Sequence, residues 1–151
     1  MENVEIERKF LVDMENLPFK LDDYPFQIIE QAYLNTNPVV RIRRSNDDYY
    51  LTYKGSGMMK RTEYNLSLNK ESYDHLLPKR DGRIISKKRY LINYNSYTIE
   101  LDVFFGDYKG LYLAEVEFES EEDASGFMPP SWLMEDVTMD KKYHNSNMAL
   151  R

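Results

Sequence analysis

The chain of 151 residues contains no cysteine, so it forms neither disulfides nor thiolate metal sites. This composition is typical of cytoplasmic proteins, and we expect a cytoplasmic location. No apolar run reaches about 18 residues, the length that a transmembrane helix needs. The acidic first residues lack the basic-then-apolar pattern of a signal peptide. Without a linker, repeat or low-complexity segment, we expect residues 1–151 to form one domain.

The net charge of −6 argues against a general nucleic-acid or anionic-membrane surface, so we expect neither partner. The oligomeric state has no signature in the sequence. There is no Gly-x-x-x-x-Gly-Lys loop, which excludes a P-loop nucleotidase. The two histidines, His75 and His144, form neither a catalytic triad nor a zinc site at this spacing.

Thirteen tyrosines and seven phenylalanines favour strands over helices. Strand-like runs lie near residues 2–12, 27–35, 39–45, 48–54, 61–68, 83–93, 97–105 and 111–119. The turns between most of them are short, which favours antiparallel hairpins. The sequence therefore predicts a mainly β (α+β) fold, an eight-stranded antiparallel barrel with a few short flanking helices.

Three helices are expected outside the barrel. One spans 70–77 after Asn69 as N-cap, and another spans 121–128 after Ser120. The third occupies the tail, 141–150.

The predicted strands have two contrasting faces, because side chains alternate along a strand. One face is charged and carries Glu5, Glu7, Lys9, Arg41, Arg43, Lys54, Glu63, Lys87, Arg89, Glu100, Asp102, Glu115 and Glu117. The other is apolar and carries Ile6, Phe10, Ile42, Leu51, Tyr53, Tyr64, Leu66, Ile99, Leu101, Val103, Val116 and Phe118.

Either face could line the barrel. Charged faces are usually solvated, so alternation alone favours an apolar interior, as in a small lipid carrier. In the inverse arrangement the charges lie inside, and helices and loops cover the apolar face. Buried charges would then need one another, a metal and a highly charged ligand.

Short segments in a fixed order carry a resemblance to a known family. They are Glu5-Ile6-Glu7-Arg8-Lys9-Phe10-Leu11-Val12, Gln31-Ala32-Tyr33-Leu34, Arg41-Ile42-Arg43, Leu51-Thr52-Tyr53-Lys54, Arg61-Thr62-Glu63-Tyr64, Lys87-Lys88-Arg89-Tyr90, Glu100-Leu101-Asp102-Val103-Phe104, Ala114-Glu115-Val116-Glu117-Phe118 and Val137 to Asn145. Over essentially its whole length the chain resembles the triphosphate tunnel metalloenzymes of the CYTH superfamily, especially the short bacterial inorganic triphosphatases. The resemblance implies the inverse arrangement, a barrel whose tunnel is lined by charges. Asn65 departs from the pattern, since related chains often carry an acid there.

The resemblance implies a role for each group of charges. Basic side chains suit the oxygens of a triphosphate, and the substrate-binding set is Lys9, Arg41, Arg43, Lys54, Lys87 and Arg89. Carboxylates are hard ligands that suit Mg²⁺ or Mn²⁺, and the metal set is Glu5, Glu7, Glu115 and Glu117. Glu115 is either a ligand or the base for the attacking water. Tyr33 and Lys54 match a proposed catalytic pair, while Glu63, Glu100 and Asp102 would hold metal-bound water or orient the basic residues.

We therefore expect metal-dependent hydrolysis of tripolyphosphate to diphosphate and phosphate, with nucleoside triphosphates as secondary substrates. Class IV adenylate cyclase and thiamine triphosphatase remain enzymatic alternatives. A polyphosphate-binding module without turnover is the alternative that is not an enzyme.

Overall fold

The computed structural model describes residues 3–150, and in this range nine strands and three short helices make up the fold. The strands are β1 (Val4–Val12), β2 (Phe26–Thr36), β3 (Val39–Ser45), β4 (Asp48–Lys54), β5 (Lys60–Leu68), β6 (Asp81–Tyr94), β7 (Tyr97–Phe104), β8 (Tyr112–Glu117) and β9 (Leu133–Asp136). The helices are α1 (Lys70–Leu76), α2 (Glu121–Gly126) and α3 (Asn145–Met148). The first strand was predicted from residue 2, which lies outside the described residues.

Eight of the strands close into an antiparallel barrel. Their order is β5-β4-β3-β2-β6-β7-β8-β1, and the start of β1 pairs with β5 to complete the circle. The pairing of Glu5 with Arg61 is part of this closure. The predicted eight-stranded barrel is therefore confirmed.

The short strand β9 was not predicted. It pairs with the later part of β1, where Phe10 lies opposite Asp136 and Val12 opposite Leu133. Four residues that follow a proline-containing turn show too little alternation to be identified as a strand. The barrel thus carries one additional strand on the outside of its closing seam.

The charged face lies inside the barrel and much of the apolar face lies outside. Glu5, Glu7 and Lys9 are buried in the interior, whereas Ile6 and Phe10 belong to an outer apolar cluster. That cluster also contains Val116, Leu101, Ile99, Phe118, Phe127 and Trp132. The structure therefore has the inverse arrangement, and the alternative prediction of an apolar interior, as in a lipid carrier, is wrong.

The outer apolar face is not covered everywhere. Tyr53, Tyr64 and Leu66 on β4 and β5 have exposed fractions of 37%, 46% and 60%. Helix α2 contacts β1, and helix α1 contacts β3 and the part of β4 around Tyr49 and Leu51. The expected cover of helices and loops is thus incomplete at β5.

Two helices begin where the sequence predicts. Asn69 Oδ1 accepts a hydrogen bond from the Ser72 amide at 2.7 Å, and Ser120 Oγ accepts one from the Asp123 amide at 3.0 Å. Both caps satisfy amides that the first turn leaves without a partner. Helix α2 ends at Gly126 rather than at residue 128, which allows Phe127 to enter the outer apolar cluster.

The tail forms two short helical pieces rather than one helix over 141–150. A 3-10 turn at Lys141–Tyr143 precedes the four-residue helix α3. Met148 and Ala149 are buried against the barrel, and the Ala149 carbonyl accepts a hydrogen bond from the Arg83 amide at 2.7 Å. Gly82 has φ +70, and a Cβ there would collide with the Ala149 carbonyl, so only glycine allows this close approach.

No helix within residues 3–150 is long and apolar enough to span a membrane.

Candidate active site

The barrel encloses a cavity of about 510 Å³ that is lined by charged side chains. Of the thirteen charged residues predicted on one face, twelve line it, namely Glu5, Glu7, Lys9, Arg41, Arg43, Lys54, Glu63, Lys87, Arg89, Glu100, Glu115 and Glu117. Asp102 does not line the cavity but is fully buried beside it, with an exposed fraction of 0%. Tyr33 lines the same cavity.

Three carboxylates converge where the first and last barrel strands adjoin. Glu7 on β1 lies directly opposite Glu117 on β8. One oxygen from each of Glu5, Glu7 and Glu117 lies within 4.8 Å of the other two. Like charges at directly opposed positions are unfavourable. A bound cation would therefore stabilise this group of carboxylates.

The environment of Glu7 and Glu117 is also suited to a cation. Burial, with Glu115 and Glu5 nearby, raises the pKa of Glu7 well above its ordinary value. Burial, with Glu100 and Glu5 nearby, raises the pKa of Glu117 to about 8. Glu7 Oε2 is buried and accepts no hydrogen bond from the described residues. A divalent cation with hard oxygen ligands would satisfy both the charge and the free oxygen.

Glu115 differs from these carboxylates because it is already paired. Its oxygens lie 3.5 Å from Lys9 Nζ and 3.6 Å from Arg89 Nη2. Although burial opposes ionisation, these two cations hold the pKa of Glu115 well below its ordinary value. Glu115 is thus an ionised group that anchors cations beside the carboxylate cluster.

Several of the basic side chains are held in place by carboxylates. Lys54 Nζ lies 2.9 Å from Glu5 Oε1 and 3.5 Å from Glu63 Oε2. Asp102 binds Arg89 through two hydrogen bonds of 2.8 and 2.9 Å. Lys87 Nζ lies 2.8 Å from Asp102 Oδ2. The fully buried Asp102 therefore fixes two of the predicted substrate-binding cations.

Arg41 and Arg43 are different, because no carboxylate of residues 3–150 lies within 4.0 Å of either guanidinium. Loss of hydration, with Arg41 and Arg89 nearby, lowers the pKa of Arg43 to about 10. Arg41 Nε is buried and donates no hydrogen bond to a described residue. Two guanidinium groups with unbalanced charge form a region that suits a polyanion.

Asn65 takes part in the support of Arg41. Arg41 Nη2 donates to Thr52 Oγ1 at 3.2 Å, and Thr52 Oγ1 donates to Asn65 Oδ1 at 2.6 Å. Asn65, where the resemblance to the tunnel enzymes led us to expect an acid, is thus a neutral acceptor. The Arg41 charge is held in place without being neutralised.

Tyr33 and Lys54 line the same cavity without a hydrogen bond between them in this structure. The hydroxyl of Tyr33 accepts a hydrogen bond from Gln31 Nε2 at 3.0 Å. The ammonium of Lys54 is instead occupied by Glu5 and Glu63. Both side chains face the same space, and their role as a catalytic pair stays a prediction.

The sequence argument did not assign Arg61, Gln31, His144 and Asn145 to the site. Arg61 lines the cavity, and its Nε lies 3.8 Å from Glu5 Oε1. Arg61 lies two positions before Glu63 on β5, so strand alternation could have assigned it to the same inward face. His144 and Asn145 also line the cavity, from the C-terminal tail. No strand periodicity marks residues that reach the cavity from a tail of short helical turns.

Comparisons with known proteins agree with this geometry. The family model of the CYTH domain matches residues 3–137. The chain is 38% identical to an inorganic triphosphatase of Nitrosomonas europaea over 150 residues, covering 97% of each chain. It is 32% identical to an inorganic triphosphatase of Acetivibrio thermocellus, covering 96% of this chain and 92% of that relative.

A solved structure extends the similarity to the fold. The crystal structure of the inorganic triphosphatase NE1496 superposes with a TM-score of 0.71 at 36% identity, covering 97% of this chain and 95% of that one. The chain therefore belongs to the CYTH domain family.

Proposed function

We propose that the protein hydrolyses inorganic tripolyphosphate to diphosphate and phosphate with the help of a divalent cation, Mg²⁺ or Mn²⁺. One observation carries the proposal: a single cavity contains both a cluster of three carboxylates, in which Glu7 Oε2 accepts no hydrogen bond from residues 3–150, and two guanidinium groups with which no carboxylate of that range pairs. A metal-bound polyphosphate satisfies both at once. The two inorganic triphosphatases that match nearly the whole chain support the same activity.

Glu5, Glu7 and Glu117 would hold the cation, because their oxygens converge and Glu7 Oε2 lacks a partner among the described residues. A bound divalent ion would neutralise phosphate charge and polarise the phosphoryl group. Glu115, proposed as a ligand or as the base for water, lies next to this cluster. Its pairing with Lys9 and Arg89 favours a role as an ionised anchor or ligand rather than a base.

The proposed substrate-binding set is Lys9, Arg41, Arg43, Lys54, Lys87 and Arg89, all of which line the cavity. Phosphoryl transfer proceeds through a loose transition state, so catalysis depends mainly on positioning and on fixed charge. Arg41 and Arg43 would bind phosphate oxygens most strongly, because no carboxylate competes for them. A cavity closed to bulk water would strengthen each of these contacts.

Glu63, Glu100 and Asp102 would act by orienting cations. Asp102 holds Lys87 and Arg89, Glu63 contacts Lys54, and Glu100 lies 3.5 Å from Arg89 Nη1. Tyr33 would handle a proton or bind a phosphate oxygen, and Lys54 would assist across the cavity. We also propose that residues 1–151 act as one CYTH-like domain whose partner is a small triphosphate molecule rather than a nucleic acid or a membrane.

Product identity separates this proposal from its rivals. The purified protein is incubated with tripolyphosphate, ATP or thiamine triphosphate in the presence of Mg²⁺ or Mn²⁺, and products are identified by ³¹P NMR and chromatography. Tripolyphosphatase activity gives diphosphate and phosphate as the fastest reaction. Cyclic AMP from ATP would indicate a cyclase, preference for thiamine triphosphate would indicate that hydrolase, and binding without any product would indicate a polyphosphate-binding module.

A further inference from the structure

Two buried amides connect the cations of the cavity to one another. Gln31 on β2 has an exposed fraction of 0%, and Asn145 at the start of α3 has 8%. Gln31 Nε2 donates to Asn145 Oδ1 at 3.1 Å, although 114 positions separate the two residues in the chain. The bond joins the barrel wall to the C-terminal tail beside the cavity, which Asn145 lines.

The cations at both ends fix which way these amides point. Arg43 Nε donates to Gln31 Oε1 at 2.8 Å, and Lys87 Nζ donates to Asn145 Oδ1 at 2.9 Å. A guanidinium only donates, so Gln31 must present its oxygen to Arg43, and Asn145 must then present its own oxygen to the nitrogen of Gln31. The nitrogen of Gln31 is then left to donate, and it does so to Asn145 and to the Tyr33 hydroxyl.

The direction of these hydrogen bonds determines which role the Tyr33 hydroxyl can take. Its hydroxyl oxygen accepts the hydrogen bond from Gln31, and within residues 3–150 it forms no other hydrogen bond. The hydroxyl hydrogen is therefore available for a group inside the cavity. A phosphate oxygen, which only accepts when fully ionised, suits such a donor.

A neutral hydrogen-bond partner such as the Gln31 amide also preserves the positive charge of Arg43. A carboxylate at the position of Gln31 would hold Arg43 at least as firmly, but it would cancel the charge that attracts an anion. The amide holds the guanidinium by its oxygen and leaves the positive charge unbalanced. Thr52 and Asn65 support Arg41 with the same chemistry.

From this geometry we infer that Gln31 and Asn145 are positioning residues for the triphosphate: they hold Arg43 and Lys87 without neutralising Arg43, and they direct the Tyr33 hydroxyl hydrogen to the substrate. The inference rests on the proposed triphosphate site. It assigns no chemical step to either amide.

The variant Gln31→Glu tests the inference most sharply. It keeps the size of the side chain and an oxygen for Arg43, but it removes the donor to Asn145 and Tyr33 and adds a negative charge. We expect the melting temperature to be retained while the Kd for tripolyphosphate rises about tenfold or more, since a hydrogen bond to a charged group is worth at least that factor. An unchanged Kd would overturn the inference.

A double-mutant cycle shows whether Gln31 acts through Arg43. Gln31→Met, Arg43→Met and the double variant are compared by the Kd for tripolyphosphate, measured calorimetrically on the metal-free protein. We expect Gln31→Met to weaken binding at least about threefold less in the Arg43→Met background than in the wild type. Equal effects in both backgrounds would overturn the role of Gln31.

Asn145→Leu and Lys87→Met form the corresponding second cycle, with the same expected loss of additivity. Additive effects there would remove Asn145 from the assignment. If the wild type bound tripolyphosphate without turnover, the proposed hydrolysis would be refuted. Both double-mutant cycles would still test the positioning roles, because they depend only on the Kd. Absence of tripolyphosphate binding by the wild type would overturn the inference itself.

Discussion

Glu7 and Glu117 lie directly opposite each other on the adjoining strands β1 and β8, with Glu5 close to both. Opposed like charges in a buried setting are unfavourable unless something neutralises them. Burial and the neighbouring carboxylates raise the pKa of both Glu7 and Glu117. A divalent cation between them would restore the balance, and the proposed metal site rests on this relationship.

The variant Glu7→Gln should therefore bind Mn²⁺ at least about tenfold more weakly than the wild type, because it removes one charged ligand from a cluster of three. Isothermal titration calorimetry in the absence of substrate measures this directly. Glu135→Gln, an exposed acid on β9, is the matched control and should bind as the wild type does. Equal Mn²⁺ affinity for Glu7→Gln and the control would remove Glu7 from the metal site.

Arg43→Ala should raise the KM for tripolyphosphate about tenfold to a hundredfold, because the lost guanidinium carries charge that no carboxylate balances. Arg44→Ala is a stringent control, since Arg44 is the next residue on β3 but is exposed and hydrogen-bonded to the Asn46 carbonyl outside. Steady-state kinetics should separate the two variants clearly. Similar KM values for both would contradict the inward orientation of the substrate site.

Glu117→Gln should change how the metal-free protein responds to pH. The folded-state pKa of about 8 lies above the ordinary value of 4.5, so the folded chain binds more protons than the unfolded chain between these pH values. Ionisation of Glu117 therefore lowers the free energy of unfolding as pH rises from 4.5 to 8. The variant has no carboxylate at this position, so its free energy of unfolding does not contain this decrease. The melting temperature of the variant relative to wild type should be higher at pH 8 than at pH 5 by more than about 2 °C.

Differential scanning calorimetry with a chelator present gives this comparison. The control Glu135→Gln removes an acid outside the cavity and should show no such difference between the two pH values. A Glu117→Gln protein that is destabilised more at pH 8 than at pH 5 would mean that the carboxylate is not under electrostatic strain in the folded state.

Lys87 should take up a proton when tripolyphosphate binds. Burial, with Arg89 nearby, lowers the pKa of Lys87 to about 7 in spite of Asp102. A bound polyanion raises it again, so at pH 8 the free side chain is mostly neutral and the bound one is charged. We expect the wild type to take up as much as about one proton more than Lys87→Met at pH 8, and no more than the variant at pH 6.

Calorimetric titrations in two buffers with different ionisation enthalpies measure the proton count. Comparison with Lys87→Met removes the contribution of protons on tripolyphosphate itself. The same proton count for both proteins at pH 8 would show that Lys87 is already charged in the free site.

The sequence predicted the barrel and most of its lining because alternation assigns side chains to faces. It could not by itself decide which face was inside. Ile6 and Phe10 form as good an apolar face as any core strand, and only the order of motifs shared with the tunnel enzymes favoured the observed arrangement. Helix caps at Asn69 and Ser120 were predictable because they depend on residues three positions apart.

The remaining features depend on long-range contacts. Gln31 and Asn145 form a hydrogen bond only because the tail folds against the barrel. No local sequence pattern predicts a hydrogen bond between residues 114 positions apart. Strand β9 forms because the edge of β1 beyond its pairing with β5 is free to accept another strand. The hydrogen-bond partners of the predicted catalytic pair, Gln31 for Tyr33 and Glu5 for Lys54, come from neighbouring positions in the barrel wall that the sequence does not single out.

Phosphate release from tripolyphosphate tests the central claim most directly, with Mg²⁺, with Mn²⁺ and with EDTA, for the wild type, Glu117→Ala and Glu135→Ala. The account predicts metal-dependent release by the wild type and Glu135→Ala, and its loss in Glu117→Ala. Full activity of Glu117→Ala would remove the metal assignment. No release by the wild type with either metal, with ATP also inert, would contradict the proposed hydrolase.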